Sequence, residues 1–153
     1  MIKGGIKTAA LFAAAVFFVL VDRLLKAWAR ESRPVIEMFG DLFRFSFSKN
    51  SGIAFSLPLN EVLASILIGV VIAGLVGYFI FLLQKTAPFE AGFVLMAILG
   101  AGSNLFDRLK YGFVIDYFDL RFYSVFNLAD AMIIVGLLGL LLSRRARGLT
   151  KIE

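Results

Sequence analysis

The sequence predicts an all-α membrane protein: four transmembrane helices, with a small β-sheet and loop region resting on the outer membrane surface. Three observations carry this. The chain has 153 residues, of which 60% are hydrophobic, including 17 Phe, whereas soluble domains use about 45–50% apolar residues. The apolar residues come in long blocks of about the ~20-residue length a spanning helix needs. Basic residues gather at the ends of those blocks, where they would meet headgroups.

The first span runs from about Thr8 to Trp28, preceded by Lys3 and Lys7. It has a basic start, and Ala27-Trp28-Ala29 resembles a signal-peptide cleavage site. Asp22, Arg23 and Lys26 interrupt the approach to that site and three more spans follow, so it is read as a retained helix. Next comes an outer segment, about 31–60. In it, Leu42-Phe-Arg-Phe-Ser-Phe-Ser48 alternates aromatic and polar residues and predicts a strand. The second span is Glu61 to Leu83 and the third is about Pro88 to Phe106, joined by a short loop holding Lys85. A second outer segment, about 107–127, contains the alternating Phe118-Asp-Leu-Arg-Phe-Tyr123, which could pair with the first strand. The last span, Leu128 to Leu142, is short and begins at the interface; Arg144, Arg145, Arg147 and Lys151 follow it. Four spans put both termini on one side, and their basic ends make that side cytoplasmic. No linker, repeat or low-complexity tract divides the chain, so 1–153 is read as a single domain.

Composition limits the chemistry. The net charge of +5 lies at block ends, which favours topology and headgroup contact over nucleic acid. With no Cys and no His, disulfides, thiol nucleophiles, imidazole bases and the usual zinc ligands are excluded. No metal or cofactor is expected. Hydrolysis would have to rest on Asp, Glu, Lys, Ser, Thr or Tyr.

Carboxylates near hydrocarbon are costly and tend to be kept for a purpose. Asp116 lies among apolar residues in Val114-Ile-Asp-Tyr-Phe118, where desolvation should raise its pKa. Asp130 stands three residues after Asn127, the spacing of a capping box at the start of the last helix. That position favours its ionised form. One protonated and one ionised Asp can share a proton and activate water. Asp22 and Lys26, at i and i+4, read first as a structural ion pair. Asn50-Ser-Gly-Ile-Ala-Phe55 reads as a turn or, because Gly allows close backbone approach, as a substrate loop. Asn104, Asp107 and Arg108 read as a helix end with a salt bridge, while Gly100 and Gly102 suit close helix packing.

Read together, four stretches resemble the type II signal peptidases, the lipoprotein signal peptidase family of bacteria. They are Asp22-Arg-Leu-Leu-Lys26, Asn50-Ser-Gly-Ile-Ala-Phe55, Gly102-Ser-Asn-Leu-Phe-Asp-Arg108 with Gly112-Phe-Val-Ile-Asp116, and Phe126-Asn-Leu-Ala-Asp130. The resemblance implies an inner-membrane aspartyl endopeptidase whose active site lies near the periplasmic or outer face. By motif position, Asp116 and Asp130 would be its catalytic dyad. Asp22, Lys26, Asn50, Gly52, Ala54, Asn104, Asp107, Arg108 and Asn127 would support the site or grip substrate. The substrate would be a prolipoprotein whose lipobox cysteine carries diacylglyceryl, cut just before that cysteine. Its other partners would be membrane lipids, and nothing demands more than a monomer. Two features depart from the family pattern. The stretch between Asp116 and Phe126 is short and lacks a Trp-Pro before Phe126-Asn127, and Ser103 stands where Gly is common.

Two other readings remain at this level. A non-enzymatic membrane protein would use Asp22, Asp116 and Asp130 in ion pairs with Lys26, Arg108 and Arg121, or to line a polar path. A Ser-Lys hydrolase would need Ser103 and Lys26 held together.

Overall fold

A computed structural model describes residues 2–38, 42–52, 61–121 and 123–149. The chain runs α1 (Ile2–Ser32), β1 (Val35–Met38), β2 (Phe43–Asn50), α2 (Glu61–Gln84), α3 (Pro88–Tyr111), β3 (Val114–Leu120), β4 (Ser124–Phe126) and α4 (Leu128–Leu149). Three helices, α1, α2 and α3, are long and apolar enough to cross a membrane, so this is a multi-pass membrane protein. In α4 the uncharged run is shorter. Asp130 and Arg144 bound it to 131–143, below the ~20 residues of a full span.

α3 touches all three other helices. In its most apolar stretch 56% of residues are buried, against 6% in α2. α3 is therefore the central helix and α2 a peripheral one. Outward-facing Val62, Ile66, Val70 and Ile80 on α2, and Ile134, Leu141 and Leu142 on α4, are exposed, as suits a hydrocarbon solvent. Gly100 lets α4 approach α3 closely, since a Cβ there would lie 2.5 Å from the Ala129 carbonyl oxygen. Gly102, expected to share this role, faces no atom within 4 Å of an added Cβ.

Turn chemistry sets the helix ends. Pro34 denies Arg33 the right-handed helical conformation. Arg33 takes φ 46° instead, and its N–H closes onto the Ala29 carbonyl at 3.1 Å. Gly112, at φ 78°, ends α3 in the left-handed region, its N–H bonded to the Arg108 carbonyl at 2.9 Å. α3 thus runs five residues beyond the expected Phe106, which keeps Asp107 and Arg108 on the helix.

The four strands form one antiparallel sheet in the order β1-β2-β3-β4. The expected pairing of the two alternating segments is present, with Phe45 opposite Phe118. β3 starts earlier than the alternation suggested, so Asp116 lies within a strand rather than in a connecting stretch. β1 and β4 were not foreseen. A core of Ala29, Phe45 and Tyr117, flanked by Leu25, Phe118 and Leu128, seats the sheet on the ends of α1 and α4.

One irregularity matters for the site. Between Phe45/Phe118 and Ser48/Asp116, β2 advances three residues while β3 advances two. This is a β-bulge. Side chains alternate faces along a strand, so one extra residue reverses the parity of all that follow. Because of it, Asn50 shares a face with Asp116. Without it, Asn50 would point the other way.

Candidate active site

Polar side chains from five elements meet where the helix ends join the sheet. On α3, Ser103, Asn104, Asp107 and Arg108 form one buried face. Opposite them on α1 stand Asp22 and Lys26, both fully buried, with Arg23 alongside. Lys26 Nζ lies 2.8 Å from Asp107, 3.3 Å from Asp22 and 2.7 Å from the Asn104 side-chain oxygen. Arg23 pairs with the other Asp107 oxygen at 2.6 Å. Two carboxylates and two cations therefore balance, which offsets the cost of burying them. Asp22 also accepts from Ser103 Oγ (2.6 Å), Tyr117 Oη (2.9 Å) and Ala129 N (3.1 Å). It ties α1 to α3, to β3 and to the first turn of α4.

Asp116 and Asp130 lie beside this cluster and are held differently. Neither forms an ion pair among the described residues. Their side-chain partners are three asparagine amides. Asn50 Nδ2 donates to Asp116 Oδ2 at 2.8 Å, and Asn127 Nδ2 donates to Asp116 Oδ1 at 2.6 Å. Asn104 Nδ2 donates to Asp130 Oδ1 at 2.7 Å. The expected capping box is formed: Asn127 N donates to Asp130 Oδ2 at 3.1 Å, and Asp130 N donates to Asn127 Oδ1 at 2.9 Å. Asn127 therefore grips both carboxylates.

The orientation of each amide is fixed by its oxygen. That oxygen accepts from a group that can only donate: Gly52 N for Asn50 (3.1 Å), Lys26 Nζ for Asn104 and Asp130 N for Asn127. Each NH2 is left to face an aspartate. Lys26 thus reaches Asp130 through Asn104 without touching it.

Burial is the main force on Asp116. With the nearby Asp130 charge, it outweighs the Asn50 and Asn127 hydrogen bonds and lifts the pKa from 3.8 to about 6. Burial likewise pushes the Tyr117 hydroxyl upward, and the Asp22 charge adds to this. Tyr117 therefore serves as a neutral donor to Asp22 while accepting from Leu128 N at 3.0 Å.

The expected site residues divide as follows. Asp22, Lys26, Asn50, Asn104, Asp107, Asp116, Asn127 and Asp130 belong to one connected hydrogen-bond and ion-pair network. Gly52 joins it through its N–H, and Arg108 Nη2 donates to the Gly52 carbonyl at 2.6 Å. Ala54 lies outside the described residues. Asp107 pairs with α1 rather than with Arg108, correcting the salt bridge expected within α3. The ion pairs expected of Asp116 and Asp130 in the non-enzymatic reading are not formed among the described residues. Ser103 and Lys26 do come together, at 3.5 Å. However, the serine proton is directed at the Asp22 carboxylate, and Lys26 donates to Asp107, Asn104 and Asp22, so the lysine does not serve as a base toward the hydroxyl. Sequence reasoning missed Tyr117 and Arg23 as site members. The available signal was a tyrosine inside an apolar strand, since a buried phenol needs a partner. Among the described residues, no group of three His, Cys, Asp or Glu side chains is placed to hold a metal ion.

Known proteins match the fold and the sequence. A bacterial membrane enzyme solved in meso at 2.3 Å resolution superposes with a TM-score of 0.78, covering 95% of this chain and 92% of its own at 19% identity. The lipoprotein signal peptidase of Syntrophomonas wolfei is 42% identical over 125 residues, covering 77% of this chain and 80% of its own length. That of Pelotomaculum thermopropionicum is 39% identical over 134 residues, covering 82% and 85%. The model of the signal peptidase (SPase) II family matches residues 14–144, and with most of the chain inside that match and curated relatives this similar, the protein belongs to the signal peptidase II family.

Proposed function

We propose that the protein removes the signal peptide from prolipoproteins, with Asp116 and Asp130 as the aspartic dyad. The observation that carries this is the grip of Asn127 on both carboxylates. It brings two acids together with no cation in contact with either among the described residues. Like charges so placed do not both ionise readily, and one proton is shared. The pair titrates as a unit. In the proposed step, the ionised aspartate takes a proton from water, whose oxygen attacks the scissile carbonyl carbon. The protonated aspartate gives its proton to the carbonyl oxygen. As the tetrahedral intermediate collapses, the C–N bond breaks. The proton taken from water passes to the leaving amine, and the hydroxyl proton returns to the other aspartate.

The substrate is a prolipoprotein carrying diacylglyceryl on the cysteine after the cut. The acyl chains remain in the bilayer and place the scissile bond by proximity. Arg108 supports the grip on the peptide. Two of its buried guanidinium nitrogens have no partner among the described residues, and it lines a groove of about 410 Å³ with Val62, Ser65, Ile66, Leu105 and Leu109. A substrate carbonyl there would satisfy them. We further propose that α4 completes a fourth span, with both termini cytoplasmic and the dyad near the outer face of the cytoplasmic membrane. The enzyme would work as a monomer.

The test is cleavage of a diacylglyceryl-modified prolipoprotein and of its unlipidated form by the purified protein in lipid. Cutting before the lipidated cysteine, lost in both Asp116→Asn and Asp130→Asn with folding intact, is the expected result. A folded wild type that leaves the lipidated substrate uncut overturns the reading. A Ser103→Ala variant without activity would move the chemistry to the Ser103–Lys26 contact.

A further inference from the structure

Where α1 and α3 meet the sheet, cations lie over a string of aromatic rings. Tyr111 and Phe113 have ring centroids 6.2 Å apart, and Phe113 and Phe47 6.4 Å apart. Arg30 sits 4.6 Å over Tyr111, Lys49 5.0 Å over Phe113 and Arg33 5.3 Å over Phe47. Lys110 lies 5.3 Å from both Tyr111 and Phe106, which extends the string, and Arg23 covers Phe106 at 4.6 Å. Five cations thus follow one aromatic strip. Arg23 is matched by Asp107 and Arg30 by Glu31. Arg33, Lys49 and Lys110 are exposed, and among the described residues none of them has a carboxylate within salt-bridge distance.

Helix-end dipoles account for part of this pattern, since cations favour helix C-termini. They do not account for Lys49, which lies on a strand. Nor do they explain an arginine at the left-handed position 33, where glycine would cost less. The strip also borders exposed Leu24 and Leu109 on the same helix ends. Exposed apolar side chains, aromatic rings and cations thus lie together along the strip, the mixture that suits a bilayer surface.

We propose that this strip binds anionic lipid headgroups, with Arg33, Lys49 and Lys110 taking the phosphates and the rings lying at headgroup depth. The strip shares Arg23 with the ion-pair cluster, but among the described residues no hydrogen bond or ion pair joins Arg33, Lys49 or Lys110 to Asp116 or Asp130, so this inference does not depend on the peptidase reading.

The experiment measures association of spin-labelled phosphatidylglycerol and phosphatidylcholine with the full-length protein in phosphatidylcholine vesicles. The wild type should favour phosphatidylglycerol by about fivefold, and about 0.5 M salt should weaken that preference. Replacing all three cations (Arg33→Ser, Lys49→Ser, Lys110→Ser) should bring the ratio close to one. The charge-keeping set (Arg33→Lys, Lys49→Arg, Lys110→Arg) should retain it. Equal association of the two lipids with wild type overturns the proposal whether or not the triple variant folds. So does a preference that survives the loss of all three charges. If the preference is absent and the three cations instead govern cleavage of substrates with acidic residues after the cut, the strip serves the peptide and the lipid proposal fails.

Discussion

Two carboxylate clusters lie side by side in this protein, built from the same residue type and held by opposite means. Asp22 and Asp107 are matched by Lys26 and Arg23 and are fully buried. Asp116 and Asp130 are held by Asn50, Asn104 and Asn127, with no cation in contact among the described residues. A cation fixes the charge state of its partner, whereas an amide fixes position and leaves the proton free to come and go. The first cluster is suited to holding helices together. The second is suited to moving protons at fixed geometry.

The largest expected effect separates the clusters by activity. Asp116→Asn and Asp130→Asn should each lower prolipoprotein cleavage by roughly 10²–10⁴-fold or more, while Asp116→Asn should change unfolding stability by no more than about 1 kcal/mol. Large destabilisation by that variant would show that the dyad is structural too. Lys26→Met should do the reverse. It leaves two buried carboxylates short of a partner and should cost about 3–5 kcal/mol in thermal or denaturant unfolding.

Next comes pH. Asp116 is raised from 3.8 to about 6. Between those values the folded state keeps a proton that the unfolded chain has released, so this group's contribution to stability falls as pH rises through the window. The pH profile of kcat/KM should accordingly show a limb near pH 6 belonging to the pair. Asn50→Ala removes a donor to the ionised form and should move that limb upward, with about a tenfold loss of kcat/KM. A limb that stays in place would mean that Asn50 only shapes the loop. The smallest effect is expected from Ser103→Ala. It removes one of several hydrogen bonds to Asp22 and should cost about 1 kcal/mol of stability, leaving cleavage within about threefold of wild type.

Much of the helical frame was legible because a spanning helix leaves a coarse mark: a long apolar block with charged ends. The Asp22–Lys26 pair and the Asn127–Asp130 cap were legible for a related reason, since both are local and governed by helical spacing. Contacts between distant elements were not. Nothing in the spacing of Asp107 says that it turns to α1 rather than to Arg108. Tyr117 follows Asp116 directly, and alternation alone would send it to the opposite face with no hint of Asp22 as its partner. The bulge that brings Asn50 onto the face of Asp116 was also invisible, because a one-residue insertion leaves the composition of a strand unchanged.

The capping box at α4 has a further consequence. Asp130 accepts the N–H of Asn127, and Asn127 in turn holds Asp116. Unwinding the first turn of α4 would therefore loosen both carboxylates together, leaving Asp116 to Asn50 and Asp130 to Asn104. Fraying of that helix end and loosening of the pair are thereby coupled, and the fully assembled site is limited to the fraction of molecules in which that turn is wound. Hydrogen exchange at Asp130 N would read that fraction directly.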